Sequence, residues 1–389
     1  MKRVFDFLSG FKLASALLLL LLLLTLFGTL EQVDHGLHQT IHKYFTWKNF
    51  IVLPDLTING KLVPIPLPGA YWVSVLLFVN MLLGGVIKMR KGWTKIGVTV
   101  SHFGILLLLL GGFVTHHFSQ RGNMALYEGE TSDYAQSYHD HVIELARLND
   151  KGTPEEVHVI SSEIVSKLAG AGTEGLKIQV PELDLSLQTS HFIKNCRPRA
   201  VGPIAAGRTP SVDGYALFKV PEEKEDEANL CGCYIEASTG DNFLLFSGAF
   251  APYIMEIKGH KYAVSLKKSL WKMPFSVKLS DFNAEFFASG KPKKFESFVE
   301  RIENGVSRQV KIYMNHPMRY KGYTFFQASW GPQQGAPNRQ LYSVFEVVKN
   351  PADQWPLYSL IVTSVGLIWH FGYMLGRYIF QQTKKKEKK

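Results

Sequence analysis

Four stretches of the chain, residues 13–30, 62–87, 96–120 and 354–376, hold no Asp, Glu, Lys or Arg and are dominated by Leu, Val, Ile and Phe. About 20 such residues carry a helix across a bilayer, so each stretch predicts a transmembrane helix, with spans at 13–30, 69–87, 96–118 and 356–378. Beyond Arg121 the period changes. Residues 124–127, 141–145, 182–187, 253–258, 275–279, 295–300 and 309–313 alternate apolar with polar side chains, and Gly, Pro and Asn interrupt them at hairpin-like intervals. A period of two is that of a strand with one face in a core. The predicted fold is a membrane protein of four transmembrane α-helices, with a large, mostly-β extracytoplasmic domain of two packed sheets at 119–355 between the third and fourth. No internal repeat of fixed period is present.

The first stretch could also be read as a signal peptide, because Lys2, Arg3 and Lys12 precede its Leu-rich core. It is longer than a usual signal core and no small-residue cleavage site follows it, so the expectation is an anchor.

Charge fixes the expected orientation. The net charge of +10 comes from three short segments: +2 on residues 1–12, +4 on 88–95 and +5 on 377–389, whereas 31–61 balances at 0 and 119–355 carries −1. Lys and Arg beside spans mark the cytoplasmic side. The expected topology is therefore a cytoplasmic N-terminus (1–12), an outer loop (31–68), a basic cytoplasmic link (88–95) and a basic cytoplasmic tail (379–389). A basic excess confined to the ends of membrane spans removes the main support for nucleic-acid binding.

An imidazole inside an apolar span is the first candidate for chemistry. His102 sits in the opening turns of the third span, where an ionisable side chain costs roughly 2–3 kcal/mol or more, and such residues usually face protein or a cavity. His370 occupies a comparable depth in the fourth span. The two could face each other, or one could bond a backbone carbonyl of a neighbouring helix. After the first span, His35, His38 and His42 recur at i, i+3 and i+7, which would set three imidazoles on one helical face. Such a face suits a metal or a haem edge, although the polar side of an interfacial helix is the plainer reading. His116 and His117 close the third span at its outer end.

Cys196, Cys231 and Cys233 all fall in the outer domain. One structural disulfide or none is expected, because the count is odd and the Cys-Gly-Cys spacing would strain a bridge. Residues 222–229, EEKEDEAN, read as a solvated loop. Gly322 breaks the chain, and the aromatic strand from Tyr323 to Trp330 reads as core packing, with a partner or membrane surface as its alternative. Nucleophile elbow, P-loop, dinucleotide fingerprint and HExxH motif are all lacking.

The order of three spans, a β domain and a final span resembles the ResB/CcsB family of the System II (Ccs) cytochrome c biogenesis machinery. The resemblance is carried by Phe27-Gly28-Thr29-Leu30-Glu31-Gln32, Ser101-His102-Phe103-Gly104 and Leu126-Tyr127-Glu128-Gly129-Glu130. It extends to residues 275–279, Asp281-Phe282, Ser289-Gly290-Lys291-Pro292, Asn315-His316-Pro317-Met318 and Tyr320-Lys321-Gly322-Tyr323-Thr324-Phe325-Phe326-Gln327-Ala328-Ser329-Trp330. Residues 152–233 are the least covered.

The resemblance implies a subunit of a haem-exporting cytochrome c synthase in a bacterial inner membrane, with its large domain in the periplasm. It implies a CcsA-like membrane partner that carries a Trp-rich haem motif, absent from this chain, and an apocytochrome c that receives haem b as cargo. His102 matches the family's transmembrane haem ligand, expected to share the iron with a His of the partner. His370, His35, His38 and His42 match no family position. The chain is then a subunit without catalytic residues of its own, or a co-catalytic one. A thioredoxin-like thiol reductant is a further candidate partner. Three other readings stand beside this one: an apocytochrome-holding chaperone that never ligates haem, a self-contained membrane haem protein using His102 with His370, and a receptor. The last needs an output module, for which the short basic link leaves no room.

Overall fold

The computed structural model describes the chain except for residues 56, 59–60, 91, 172, 202–209, 290, 333–339 and 388–389. It divides into two units, Met1–Ser119 with Lys349–Lys389, and Gln120–Val348.

The first unit is built on four helical segments long and apolar enough to cross a membrane, Phe11–His35, Ala70–Ile87, Trp93–Phe118 and Trp355–Lys384. In chain order its helices are α1 (Lys2–Leu8), α2 (Phe11–His35), α3 (Leu37–Phe45), α4 (Ala70–Asn80), α5 (Ile96–Phe118) and, after the second unit, α7 (Trp355–Glu387). A π-helical turn, Met81–Ile87, continues α4 and is closed by Lys88 N–H donating to Leu83 O at 2.8 Å. Short antiparallel pairs fill the connection between α3 and α4: β1 (Ile51–Val52) with β4 (Leu67–Pro68), and β2 (Thr57–Ile58) with β3 (Lys61–Leu62). The Asn59-Gly60 turn expected there lies outside the described residues.

Two helices outrun their expected spans. α2 continues past Leu30 to His35 because the carboxylate that would otherwise end the apolar run, Glu31, is buried and satisfied by partners on α3 and the following loop. α7 continues to Glu387, where a run of good helix formers replaces the apolar sequence.

A seam of small residues joins α5 to α7. A Cβ on Gly97 would lie 2.5 Å from Gly366 O, and one on Gly104 would lie 2.8 Å from Thr363 N. Ser359 Oγ donates to Gly104 O at 2.7 Å and Ser101 Oγ to Thr363 O at 3.2 Å. Without a hydrophobic force between helices in lipid, close backbone approach and hydroxyl bonds of this kind hold them together. Leu17, Leu24, Tyr44, Val73 and Leu77 form a second packed cluster on α2, α3 and α4.

The second unit is mostly β, with one short helix, α6 (Ser162–Leu168). Its strands are β5 (Gln120–Tyr127), β6 (Thr131–Leu148), β7 (Pro154–Ile160), β8 (Lys177–Val180), β9 (Leu185–Ile193), β10 (Cys196–Ala200), β11 (Tyr215–Lys219), β12 (Gly232–Ala237), β13 (Asn242–Phe246), β14 (Tyr253–Ile257), β15 (His260–Phe286), β16 (Pro292–Glu303), β17 (Val306–Tyr313), β18 (Met318–Tyr320), β19 (Tyr323–Gly331) and β20 (Tyr342–Lys349). Ten of them form one sheet in the order β17-β16-β15-β6-β5-β20-β19-β18, with β14 on β15 and β7 on β6; β13-β12-β9-β8 form a second sheet, and β10 pairs with β11.

The expected two packed sheets are present, with the β10–β11 pair beside them, and among the described residues the buried side chains gather in three clusters, the smallest being Cys196, Leu217 and Tyr234. Ile143, Leu145, Val264 and Leu266 of the large sheet pack with Leu185, Leu187, Ile235 and Leu245 of the small one. The far half of the large sheet encloses its own cluster, including Leu126, Phe275, Val277, Phe325 and Phe345. The 27-residue β15 runs through both, and its register with β6 shifts between Lys268 and Leu270 and again between Lys272 and Val277. Such irregularities bend a strand, which lets one strand serve two cores.

The aromatic stretch is core, as its plainer reading held. Tyr323 and Phe325 are buried, and Trp330 packs on Phe282 with ring centroids 5.6 Å apart. Lys321 and Gly322 adopt φ of 48° and 79°, the left-handed pair that a two-residue hairpin turn needs, and Tyr320 opposes Tyr323 across it. The solvated reading of 222–229 needs correction at two residues, Asn229, which is buried, and Asp226. Asp226 is largely covered, with Lys194 Nζ at 2.8 Å and His139 Nδ1 at 3.1 Å, because a carboxylate drawn into the fold must meet partners for its oxygens.

Candidate functional site

His102 follows Ser101 by one residue on α5, so its side chain leaves the helix about 100° round from the seam that faces α7. It meets the π turn of α4 instead: His102 Nδ1 lies 2.9 Å from Gly85 O. A carbonyl can only accept, so Nδ1 carries the proton, and in the neutral ring Nε2 keeps the lone pair. The half-buried imidazole is thereby held in the tautomer that presents Nε2 for ligation.

Gly85 belongs to the last turn of its helix, where carbonyls have no partner further along. The imidazole caps one of them. The approach is close enough to demand glycine: a Cβ at Gly85 would stand 2.7 Å from His102 Nδ1 and 3.1 Å from its Cε1 and Cγ. Gly84 is equally confined, since a Cβ there would lie 2.6 Å from Ser9 O. Asn80 Nδ2 donates to Leu8 O at 2.6 Å and to Gly10 O at 3.1 Å, and Lys88 Nζ reaches Asp6 Oδ1 at 2.7 Å. The turn that bears on His102 is thus fastened to the N-terminal segment.

The backbone of His370 lies against α5 at Gly97, where a Cβ would stand 2.6 Å from His370 N, while the His102 ring meets the turn that follows α4. Of the two arrangements open to the sequence, the bond to a neighbouring carbonyl is the one His102 makes, and among the described residues no direct hydrogen bond joins it to His370.

The expected face of three imidazoles after the first span is not formed either. Gly36, at φ 79°, breaks the helix between α2 and α3. His35 ends α2 and lies 3.2 Å from Asp55 Oδ2, whereas His38 and His42 sit on α3 with ring centroids 4.6 Å apart. At the end of α5, His117 Nε2 is 3.0 Å from Tyr71 Oη, and the rings of His116 and His117 are 4.9 Å apart.

Sequence reading passed over the part played by Glu31. It accepts from Tyr44 Oη at 2.6 Å, Lys43 Nζ at 2.8 Å and Asp55 N–H at 2.5 Å. Burial draws the Lys43 ammonium down, but the carboxylates of Glu31 and Asp55 outweigh it and hold it above its ordinary value. Burial and the same carboxylate push the Tyr44 phenol up. The visible signal was a carboxylate at the end of an apolar span.

In the second unit, Glu128 Oε1 accepts from Phe282 N–H at 3.0 Å, Gly129 N–H donates to Leu279 O at 2.7 Å and Leu279 N–H to Glu130 O at 3.0 Å. Two stretches quoted separately for the resemblance therefore form one clasp. Cys196, Cys231 and Cys233 are buried free thiols. Burial pushes Cys196 up to about 12 and Cys231 up to about 11, and Cys233 is raised by burial as well. They are structural rather than nucleophilic at neutral pH.

Four membrane-length helices with a β unit inserted before the last define a multi-span membrane protein with one large folded domain. Residues 253–346, from the start of β14 into β20, match the model of the ResB-like family. A cytochrome c biogenesis protein CcsB of Prochlorococcus marinus (strain SARG) is 40% identical over 57 residues, 14% of this chain and 13% of that protein. Proteins of the same name from Prochlorococcus marinus (strain NATL1A) and Synechococcus sp. (strain CC9902) are 38% identical over 56 residues and 36% over 55, again 14% of this chain and 13% of theirs. The chain thus aligns with about 13% of the length of these curated relatives. Over these residues the chain is similar to the ResB-like family and to proteins named CcsB.

Proposed function

We propose that the chain acts in cytochrome c biogenesis as the ResB-like subunit of a System II cytochrome c synthase, receiving haem b within the membrane and passing it outward for attachment to apocytochrome c. The observation that carries this reading is His102, an imidazole within an apolar span whose Nδ1–H is spent on Gly85 O, so that Nε2 is the lone-pair nitrogen. Haem has a flat apolar body and an iron that takes imidazole axially, which suits a ring so placed.

The basic segments at 1–12, 88–95 and 377–389 support an orientation with His102 near the cytoplasmic face and the β unit in the periplasm. A CcsA-like membrane protein supplies the second axial ligand and the outer site. There each thiol of an apocytochrome Cys-x-x-Cys-His segment adds its S and H across a haem vinyl group to leave a thioether. The raised thiols of Cys196 and Cys231 argue for a resting role, and a thioredoxin-like reductant acts on the apocytochrome rather than on them.

The test is coexpression of the chain with a CcsA-like partner and a reporter apocytochrome. The expected result is that His102→Gly lowers both the haem copurifying with the complex and the yield of holocytochrome, while partner recovery stays unchanged. Wild-type haem content and yield in the variant would refute the reading.

A further inference from the structure

We infer that Gly85, through its carbonyl and its missing side chain, is the positioning residue that aims His102, and that the π turn Met81–Ile87 exists to put it there. This rests on the reading of His102 as an iron ligand.

Three observations converge on one residue. Gly85 O is the acceptor that fixes the tautomer and the ring orientation of His102. Its Cα lies so close to the ring that even a methyl group would stand 2.7 Å from Nδ1. The helix around it is π rather than α, wound through Met81–Ile87 with an i to i+5 bond from Lys88 to Leu83. π turns are rare and recur at functional sites, because an inserted residue re-aims the groups beyond it. Here the re-aimed group is a backbone carbonyl at the height of an intramembrane imidazole.

The other side of the same turn is fastened. Asn80 holds Leu8 and Gly10, Lys88 holds Asp6, and Gly84 lets Ser9 O approach. A carbonyl anchored on one side and bonded to the ring on the other gives His102 a fixed height and direction without a second polar side chain in the apolar layer. Partners that orient a ligating histidine are typically worth about 10–100-fold in metal affinity.

The test is a double-mutant cycle on the complex with its CcsA-like partner, read as haem per complex and as the absorption spectrum, with and without added imidazole. Gly112→Ala is the control, because a Cβ there meets nothing within 4 Å. Gly85→Ala is expected to lower haem affinity by about tenfold or more and to shift the haem absorption bands, whereas Gly112→Ala leaves both at wild type. In a His102→Gly background no ring remains to displace. Gly85→Ala should then add no further loss, and imidazole should restore the single and double variants equally.

A wild-type spectrum and affinity in Gly85→Ala would overturn the inference. So would a loss in the double variant equal to the product of the two single losses, which would show that Gly85 acts on the fold rather than through His102. Unchanged haem in His102→Gly would overturn the underlying reading as well, and that outcome is distinct from a failure of Gly85 alone.

Discussion

Tyr44 Oη donates a hydrogen bond to Glu31 Oε1 over 2.6 Å, tying the end of the first membrane helix to the amphipathic helix that follows it. Lys43 Nζ holds the other oxygen at 2.8 Å, and the Glu31 side chain is only 8% exposed. A buried carboxylate with all its partners in place organises this corner more than it drives folding.

Removing that carboxylate should be costly. Glu31→Ala leaves Tyr44 and the Asp55 N–H without their acceptor and Lys43 with the Asp55 carboxylate alone, and breaking a buried pair in this way costs about 3–5 kcal/mol. Thermal unfolding of the purified chain should show the loss, with Glu31→Gln in between. A wild-type midpoint for Glu31→Ala would mean that water replaces the carboxylate.

Acid should loosen the large sheet at Glu296. Lys294 and then Lys311, at 2.7 and 2.5 Å, hold its carboxyl below the usual carboxylate range. The folded pKa is lower than the unfolded one, so the pair's contribution is present above the ordinary carboxylate pKa and is lost as pH falls through the depressed value. A stability profile of the full chain from pH 6 down to pH 3 should therefore be flatter in Glu296→Gln than in wild type. Identical slopes would dismiss the pair as a source of acid sensitivity.

The thiols should be silent in the folded protein. With Cys196 at about 12 and Cys231 at about 11, little thiolate exists at pH 8, and all three side chains are buried. Iodoacetamide followed by mass spectrometry should find these cysteines unmodified until denaturant is added. Rapid labelling under native conditions would contradict the packing described.

Truncation within the aromatic strand should act on stability. Phe325 is fully buried beside Phe275 and Tyr323, and Phe→Ala in such a core costs about 3–5 kcal/mol. Phe325→Ala is expected to lower the unfolding midpoint of the full chain in denaturant. An unchanged midpoint would move the strand from core to surface.

Much of this architecture could be read from periodicity, because lipid and water impose opposite rules on the same chain. Apolar runs marked the spans, and alternation marked the strands. Other features hung on relationships that no local pattern carries. Gly36 divides His35 from His38 and His42 through one backbone angle. Glu31 looked like the mere end of an apolar run until its partners, 12 to 24 residues away, closed on it. The π turn has no composition of its own, and the role of Gly85 appears only when His102, 17 residues on, folds back against it. His102 itself was singled out by the cost of an imidazole in an apolar span and by the family resemblance, while its bond to Gly85 O needed the fold.

The central claim, that His102 ligates haem iron, is met most directly by replacing the ligand atom. The haem absorption spectrum of the purified complex with the proposed CcsA-like partner should change from that of an imidazole-ligated iron to that of a thiolate-ligated one when His102→Cys is introduced. An unaltered spectrum, with haem still bound in full, would contradict the account.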